Sequence, residues 1–546
     1  MSLEPRDLTL RVIERLSDIG IALTGDHDEE SLLERILVCA KDLSRADGGT
    51  IYSLGEDNRL RFRILHTDSL GLARGGKWGA IDDLPDIPLY NSDGEANHTS
   101  VVAHAVLSAS TVVIDDAYQV REFDFSGTRA FDARTGYRST SMLTVPMRDH
   151  RDAIIGVLQL LNAQDSEGQI VPFDPITVRV VESLASQASI MLTNGLLARQ
   201  VSDLFESFVK LIAHAIDEKS PYTGGHCRRV PVLTMALAEA AHAADQGPLA
   251  DFHLNDDDRY ELSIAAWLHD CGKITTPEWV MDKATKLQRI HDRIDEVATR
   301  LACCSRQVEI EYLQALAAGE DQASARRERD RALMSLQEDL VFLRQVNQGG
   351  EWLDDAAIDR IASIAGRQWL DLAGTWRPLL SDEEVANLCI RRGTLLPQER
   401  EIINHHIVAT IEMLEQLPFP RHLQRVPEIA GGHHERMDGK GYPRGLTKAQ
   451  MSVPARCMGI ADIFEALTAK DRPYKQPMTV SQALTILAKM AAEQHVDADL
   501  FEVFMRSNVW KNYMREYLSA EQCDEVDTEA LITLSRVAPD KLGGFA

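Results

Sequence analysis

Short β-type apolar runs occur in only one stretch of this chain, between about residues 48 and 163, so any substantial sheet is confined to its first third. GGTIYSL, LRFRIL, TVVI, SMLTVPM and AIIGVLQLLNA are separated by Gly, Asp and Asn turns. Upstream, from Leu8 to Ala46, apolar positions such as Val12, Leu16 and Ile19 recur at helical spacing. Downstream, TVRVVESLASQASIMLTNGLLARQ returns to helix, and from Asp203 onward the pattern is nearly all helical. This order predicts an α+β domain ending near residue 197, joined by a long helix to an all-α region. A chain of 546 residues is too long for one hydrophobic core, which agrees with that division.

The formal net charge of −26 repels duplex nucleic acid and anionic membrane surfaces. An anionic substrate therefore needs a local island of positive charge, and bound metal ions are one way to supply it. The eight cysteines form no CxxC pair, and adjacent Cys303 and Cys304 are poorly placed for a mutual disulfide. Free thiols in a reducing compartment are the expectation. The first residues, MSLEPRDLTLRVIERL, mix both charge signs, and no 18-residue apolar stretch occurs. A cytoplasmic protein is expected.

Two further helical segments stand out. Leu197, Val201, Leu204, Phe208, Leu211 and Ala215 alternate in steps of four and three, as in a coiled-coil seam. A single amphipathic helix packed on its own domain would show much the same spacing. Its place between two domains favours a parallel homodimer in which it carries signals. Between about residues 284 and 392 lies a charged, helix-prone region in which Leu333, Leu336, Leu340 and Leu343 share one face. Gly349-Gly350 ends that pattern, predicting a helical-hairpin insertion that packs on itself or on a partner.

Chemistry concentrates in five motifs: YTGGH at His226, LHDCGK at His269 and Asp270, INHHIV at His405 and His406, GGHHERMDGKGYP at His433 and His434, and GIADIFEALTAKDRPYK at Asp462. Neutral imidazole with carboxylate suits divalent first-row metals. An aspartate can bridge two such ions, and paired ions are the usual device for phosphoester hydrolysis: they supply hydroxide at neutral pH and offset charge on the phosphoryl oxygens. A lone histidine such as His214 or His242 is more simply a surface residue, and the HD dipeptide is common by itself. A double histidine before a Gly-rich, Pro-ended loop has no structural necessity. Gly439 and Gly441 would hold that loop close to a site.

The β-type blocks ADGGTIYSL, LRFRILHTDSLG, FDARTGYRSTSMLTVPM and IIGVLQLLNA resemble those of a GAF domain over residues 8–197. GAF domains are small-molecule or cofactor sensors, or dimerisation modules. His226, the His269–Asp270 pair and Asp462 resemble the H…HD…D signature of HD-superfamily phosphohydrolases. HHERMDGKGYP and RPYK resemble the HD-GYP subfamily, whose members hydrolyse cyclic di-GMP. The resemblance covers about residues 203–290 and 393–500, and the domain divides accordingly into 203–283 and 393–520, with the insertion 284–392 between them, a connecting coiled-coil helix at 198–215 and a tail at 521–546.

What the HD-GYP resemblance implies can be stated residue by residue. His226, His269, Asp270 and Asp462 would hold one metal, and Asp270 would bridge to a second held by His406, His433 and His434. His406 matches the family's helix better than His405. Lys273 would face the scissile phosphate. Arg472 and Lys475 would grip substrate phosphates, and Gly441, Tyr442 and Pro443 would shape the adjoining loop, which in the family also contacts partner proteins. Tyr222 stands where relatives with a third metal carry glutamate, so two ions, iron or manganese, are expected. Cys271 stands where an apolar residue is common, and Glu465 replaces a frequent aspartate, a mild change. The implied activity is hydrolysis of cyclic di-GMP to pGpG and on to GMP, regulated by the GAF domain. The alternatives are an HD hydrolase of another cyclic nucleotide, and a non-enzymatic module acting through partner contacts.

Overall fold

The computed structural model describes residues 29–79, 81, 84–149, 151–219, 225–470 and 477–537. The expected helical positions Leu8, Val12, Leu16 and Ile19, the residues Tyr222, Arg472 and Lys475, and the end of the tail from 538 lie outside the described residues. The chain divides into two compact units, Met1–Leu204 and Phe205–Ala546.

In the first unit helix α1 (Glu29–Ser44) leads into strands β1 (Ala46–Leu54), β2 (Arg59–Thr67), β3 (Leu72–Gly75) and β4 (Ile87–Pro88). Helix α2 (Val101–Ser108), β5 (Val112–Ile114), α3 (Ser126–Thr135), β6 (Met142–Arg148), β7 (Ile154–Gln164) and β8 (Ile170–Val171) follow. The strands form one antiparallel sheet in the order β3-β2-β1-β7-β6-β5, with β4 on β2 and β8 on β7. Side chains alternate across it. Leu158 and Leu160 of β7 point into a core with Leu33, Ile36 and Leu37 of α1, whereas Val157 joins Val102 and Val106 of α2 on the other face. The sequence pattern places the strands but not α2 and α3. These are short helices inserted between them, α2 held at its start by the Ser100 side chain.

Helix α4 (Pro175–Lys219) is one continuous element, the long helix that the sequence places between the two domains. The boundary between the two units falls within it. Its early residues Val181, Leu184 and Ala188 pack under the sheet. Near its end Val209, Ala213 and Ile216 enter the core of the second unit. The seam residues Leu197, Val201, Leu204, Phe208 and Leu211 do neither and are 47–65% exposed. Burial against its own domain therefore does not account for their spacing.

The second unit begins its core with α5 (His226–His242) and α6 (Asp256–Leu268). The insertion follows, with α7 (Ile294–Ala317), α8 (Gln322–Asn347), α9 (Asp355–Ala365), a two-stranded hairpin of β9 (Gln368–Leu370) and β10 (Trp376–Pro378), and α10 (Asp382–Leu388). The core resumes with α11 (Pro397–Glu415), α12 (Val426–Gly431), α13 (Val453–Thr468), α14 (Val480–Ala492), α15 (Ala498–Arg506), α16 (Val509–Tyr517) and α17 (Thr528–Ser535). Leu233, Leu262, Phe464, Leu487, Phe501 and Phe504 lie in its centre, each fully or almost fully buried. Burial of each contributes about 1.5–3 kcal/mol.

The insertion has a separate core in which Leu336 and Leu343 of α8 meet Val297 and Leu301 of α7, Ile361 of α9 and Leu388 of α10. It packs on itself, one of the two arrangements that the leucine face left open. The β9–β10 hairpin was not legible, because its strands are three residues each and largely exposed around an Asp371–Thr375 turn. Buried Lys283 ties the insertion's entry to α10 and α11, donating to Asn387 at 2.7 Å and to Glu399 at 2.8 Å. All eight cysteines are free. Among the described residues no helix is long and apolar enough to cross a membrane.

Candidate metal centre

Apart from His405, each motif histidine or aspartate sits at or next to a helix end, or on a helix face, that packs toward one point. His226 opens α5, and His269 caps the C-terminal end of α6. Asp270 follows it, and Cys271–Thr275 forms a 3₁₀ turn. His406 lies on the buried face of α11, His433 and His434 follow α12, and Asp462 lies on α13. His405, next to His406, is exposed.

Asp270 and His406 meet because the turn after Asp270 has no side chain at Gly272. A Cβ there would lie 2.0 Å from the His406 carbonyl oxygen and 2.5 Å from the Thr410 nitrogen. In its absence the Gly272 N–H donates to Thr410 Oγ1 at 2.9 Å. The turn and α11 thus approach more closely than any other residue would permit.

Two groups of ligand-type atoms result, His226–His269–Asp270 and His406–His433–His434. His226 Nε2 lies 3.2 Å from Asp270 Oδ2 and 3.2 Å from Asp462 Oδ1. His269 Nε2 lies 3.3 Å from Asp270 Oδ2 and 3.9 Å from Asp462 Oδ1. The other carboxylate oxygen of Asp270, Oδ1, faces the second group, 3.4 Å from His406 Nε2. Atoms that each lie about 2.0–2.2 Å from a shared ion stand roughly 3 Å apart, so these separations suit a common ion.

The imidazoles are oriented for that use. His269, His406 and His433 each donate from Nδ1 to the carbonyl three residues earlier, of Ala266, Ile403 and Ala430, at 2.7, 2.5 and 2.7 Å. This leaves every Nε2 as a lone pair aimed inward. Asp270 Oδ1, His406 Nε2 and His433 Nε2 are buried with no hydrogen-bond partner among the described residues. Buried polar atoms are almost always paired, and three orphaned acceptors converging on one point fit a cation. The residues present therefore fit two metal ions, with Asp270 shared between them.

Electrostatics agree. Burial, then His434 and His269, depress the His433 pKa, and burial above all brings His434 down to about 4. Both are neutral ligands at neutral pH. Burial acts to raise the pKa values of Asp270 and Asp462, but Lys273, His269 and His226 for Asp270, and chiefly His226 for Asp462, hold both below the usual carboxylate range. Burial opposes the Lys273 charge, yet Asp270 and Asp462 outweigh it, and Lys273 Nζ lies 2.5 Å from Asp270 Oδ2.

Sequence reasoning treated Glu465 as a mild substitution, but it is a buried partner of the site. It accepts from His226 Nδ1 and from Arg229 Nε at 2.7 Å. Its place three residues after Asp462 puts both on one face of α13, a signal the spacing contained. Glu435, also passed over, is buried and accepts from the Arg444 and Leu446 N–H groups at 2.7 and 2.8 Å, which folds the loop after His434. In that loop a Cβ at Gly441 would lie 2.4 Å from the Arg436 nitrogen. Tyr442 stacks on His434 with ring centres 4.9 Å apart, and Pro443 follows through a cis peptide. Cys271 is a small buried side chain beside the site. A cavity of about 220 Å³ opens on Asp270, Lys273, His406, His434, Tyr442 and Asp462. A neighbouring one of about 440 Å³ is lined by His433, Arg436, Lys440, Gly441, Tyr442 and His495.

Residues 28–192 match the model of the GAF domain, and residues 382–500 match the model of the HD domain. The chain joins a GAF domain to an HD domain. The HD match includes His406, His433, His434 and Asp462, while His226, His269 and Asp270 lie upstream, beyond the insertion. Among curated proteins, the chain is 42% identical over 83 residues to the 3'3'-cGAMP-specific phosphodiesterase 1 of Vibrio cholerae, covering 15% of this chain and 19% of that one. It is 32% identical over 119 residues to a cyclic di-GMP phosphodiesterase of Thermotoga maritima, covering 22% and 32%. It is 24% identical over 333 residues to the 3'3'-cGAMP-specific phosphodiesterase 3 of Vibrio cholerae, covering 58% and 45%. The chain thus spans less than half the length of each of these relatives.

The Glu465 contact generates a prediction for the HD domain. Glu465→Ala removes the acceptor that orients His226, and loss of such a partner costs about 10- to 100-fold in metal affinity. Metal titration followed by calorimetry checks this; unchanged affinity would show that His226 needs no orienting partner.

Proposed function

We propose that this chain is a metal-dependent phosphodiesterase that hydrolyses cyclic di-GMP. The observation that carries the reading is the division of Asp270, one oxygen toward His226 and His269 and the other toward His406. His226, His269, Asp270 and Asp462 would hold one ion, and Asp270, His406, His433 and His434 the second; the mixture of imidazole and carboxylate suits divalent first-row metals, and we take iron or manganese as the ions. Bound there, such ions supply a hydroxide-strength nucleophile at neutral pH and neutralise charge growing on the phosphoryl oxygens.

The chain's own groups do the rest. Lys273 is a half-buried cation lining the cavity, kept protonated by Asp270 and Asp462, and would meet a phosphoryl oxygen of the substrate. Tyr442, stacked on His434, walls the cavity, and Gly441 and Pro443 hold the backbone of that wall in place. Arg472 and Lys475 would bind the substrate's phosphates. Water adds across one P–O3' bond. The 3' oxygen leaves with a proton, and the phosphate stays on the 5' side, giving linear pGpG; a second hydrolysis gives GMP. In so acidic a chain, the ions and Lys273 provide the positive charge that a diester dianion requires.

A second reading has a specific basis. One relative, 42% identical over 83 residues, is named for 3'3'-cGAMP, so a different cyclic dinucleotide is the competing substrate. Metal-loaded protein assayed side by side on both compounds decides between them. Turnover of cyclic di-GMP with at least tenfold higher kcat/KM, and its loss in Asp270→Ala, is the expected result. Preference for 3'3'-cGAMP would reassign the substrate, and no hydrolysis of either by protein with bound metal would refute the enzyme.

The exposed seam on α4 supports a parallel homodimer, the GAF domain acting on the HD domain along that helix; a cytoplasmic setting and protein contacts through the GYP loop complete the reading. Replacing Leu204 and Phe208 together by glutamate should convert a dimer to a monomer in sedimentation. A double variant that stays dimeric would place the interface elsewhere.

A further inference from the structure

The last turn of α4 reaches two places that matter to the first metal group. Helix α5, which begins with His226, has no side-chain cap from Gly225, the residue before it. The first N–H groups of a helix have no partner within it. Here Asp217 supplies one from outside. Its buried carboxylate accepts from the Gly225 N–H at 3.1 Å and from the Cys227 N–H at 3.2 Å, on either side of His226. A carboxylate at that end is also favoured by the helix dipole.

Two residues on, Lys219 does the complementary thing for the other arm. Its Nζ donates to the carbonyls of Lys273, Ile274 and Thr276 at 3.1, 2.5 and 2.7 Å. An ammonium has three N–H donors, and each has a carbonyl. These carbonyls belong to the turn that follows His269 and Asp270 and carries Lys273. One turn of one helix thus grips the backbone on both sides of the first metal group: Asp217 the segment bearing His226, and Lys219 the segment leaving Asp270. The second group has its own support, because His406 and His433 are oriented by carbonyls of their own segments.

We propose that Asp217 and Lys219 are positioning residues that hold the first metal group in register, so that a displacement of the end of α4 changes the affinity of that group for its ion more than that of the second group, which shares only Asp270 with it. This rests on the two-metal reading above. It gives the long helix a route into the HD domain that ends on named atoms: a shift of its last turn moves both backbone supports together.

The test is manganese titration of the metal-stripped full-length chain, with native protein compared with Asp217→Asn, Lys219→Met and Lys219→Arg. Circular dichroism and melting temperature establish that each variant is folded. Native protein should bind two ions in separable steps. Asp217→Asn should weaken one step by about 10- to 100-fold, the effect of losing partners that orient metal ligands, with the other step unchanged; Lys219→Met should weaken the same step by as much, and the other step, which shares Asp270, by less. Lys219→Arg, which keeps the charge and several donors, should restore most of that loss. Folded variants that bind both ions as the native chain does would overturn the proposal. So would an equal weakening of both steps accompanied by a lower melting temperature, since that marks a general structural tie. A native chain that takes up no manganese overturns the two-metal reading and this inference with it.

Discussion

The structure of the HD domain turns on one carboxylate. Asp270 is buried, and its two oxygens face different sets of imidazoles. Burying a charge is costly unless it is paired, and here the pairing is arranged on every side. Lys273 and His269 lie beside one oxygen, while the other is left for a cation that the orphaned His406 and His433 nitrogens also face. The helices around the site can be read as the means of bringing four separated stretches of chain to this group. Gly272 is the point where that convergence is tightest.

The same arrangement answers the chain's electrostatic problem. A protein with a net charge of −26 would repel a phosphodiester. The site opposes that with neutral imidazoles, depressed in pKa by burial, around carboxylates held ionised by neighbouring cations. Such a set binds divalent ions without first having to release protons from His433 and His434 at neutral pH. Charge is thereby concentrated where a phosphate would bind, and the acidic surface elsewhere does not have to change.

Much of this was legible in the sequence, for reasons that differ by residue. The sheet was readable because period-two apolar runs are specific to strands, and the motif residues because a double histidine before a Gly-rich, Pro-ended loop has no structural necessity, whereas the His–Asp pair by itself says little. The insertion's apolar helix face was visible in Leu336 and Leu343, but not whether it would pack on the insertion itself or on a partner. What escaped depended on contacts across long separations. Glu465 matters because it meets His226, 239 residues away in the chain, and Gly272 because it lies against α11. Asp217 and Lys219 look like ordinary helix-end charges until their partners are seen. The β9–β10 hairpin is too short and too exposed to leave a periodic signal. The long helix joining the domains, by contrast, was legible from its apolar spacing, although the middle of α4 faces neither core.

The shared carboxylate can be tested without substrate. Electron paramagnetic resonance of the chain loaded with two equivalents of manganese reports directly on whether the two ions share a ligand. The account predicts the spectrum of an exchange-coupled pair, replaced by that of isolated ions when Asp270 is changed to alanine. Two uncoupled ions in the native protein, or a single bound ion, would contradict it.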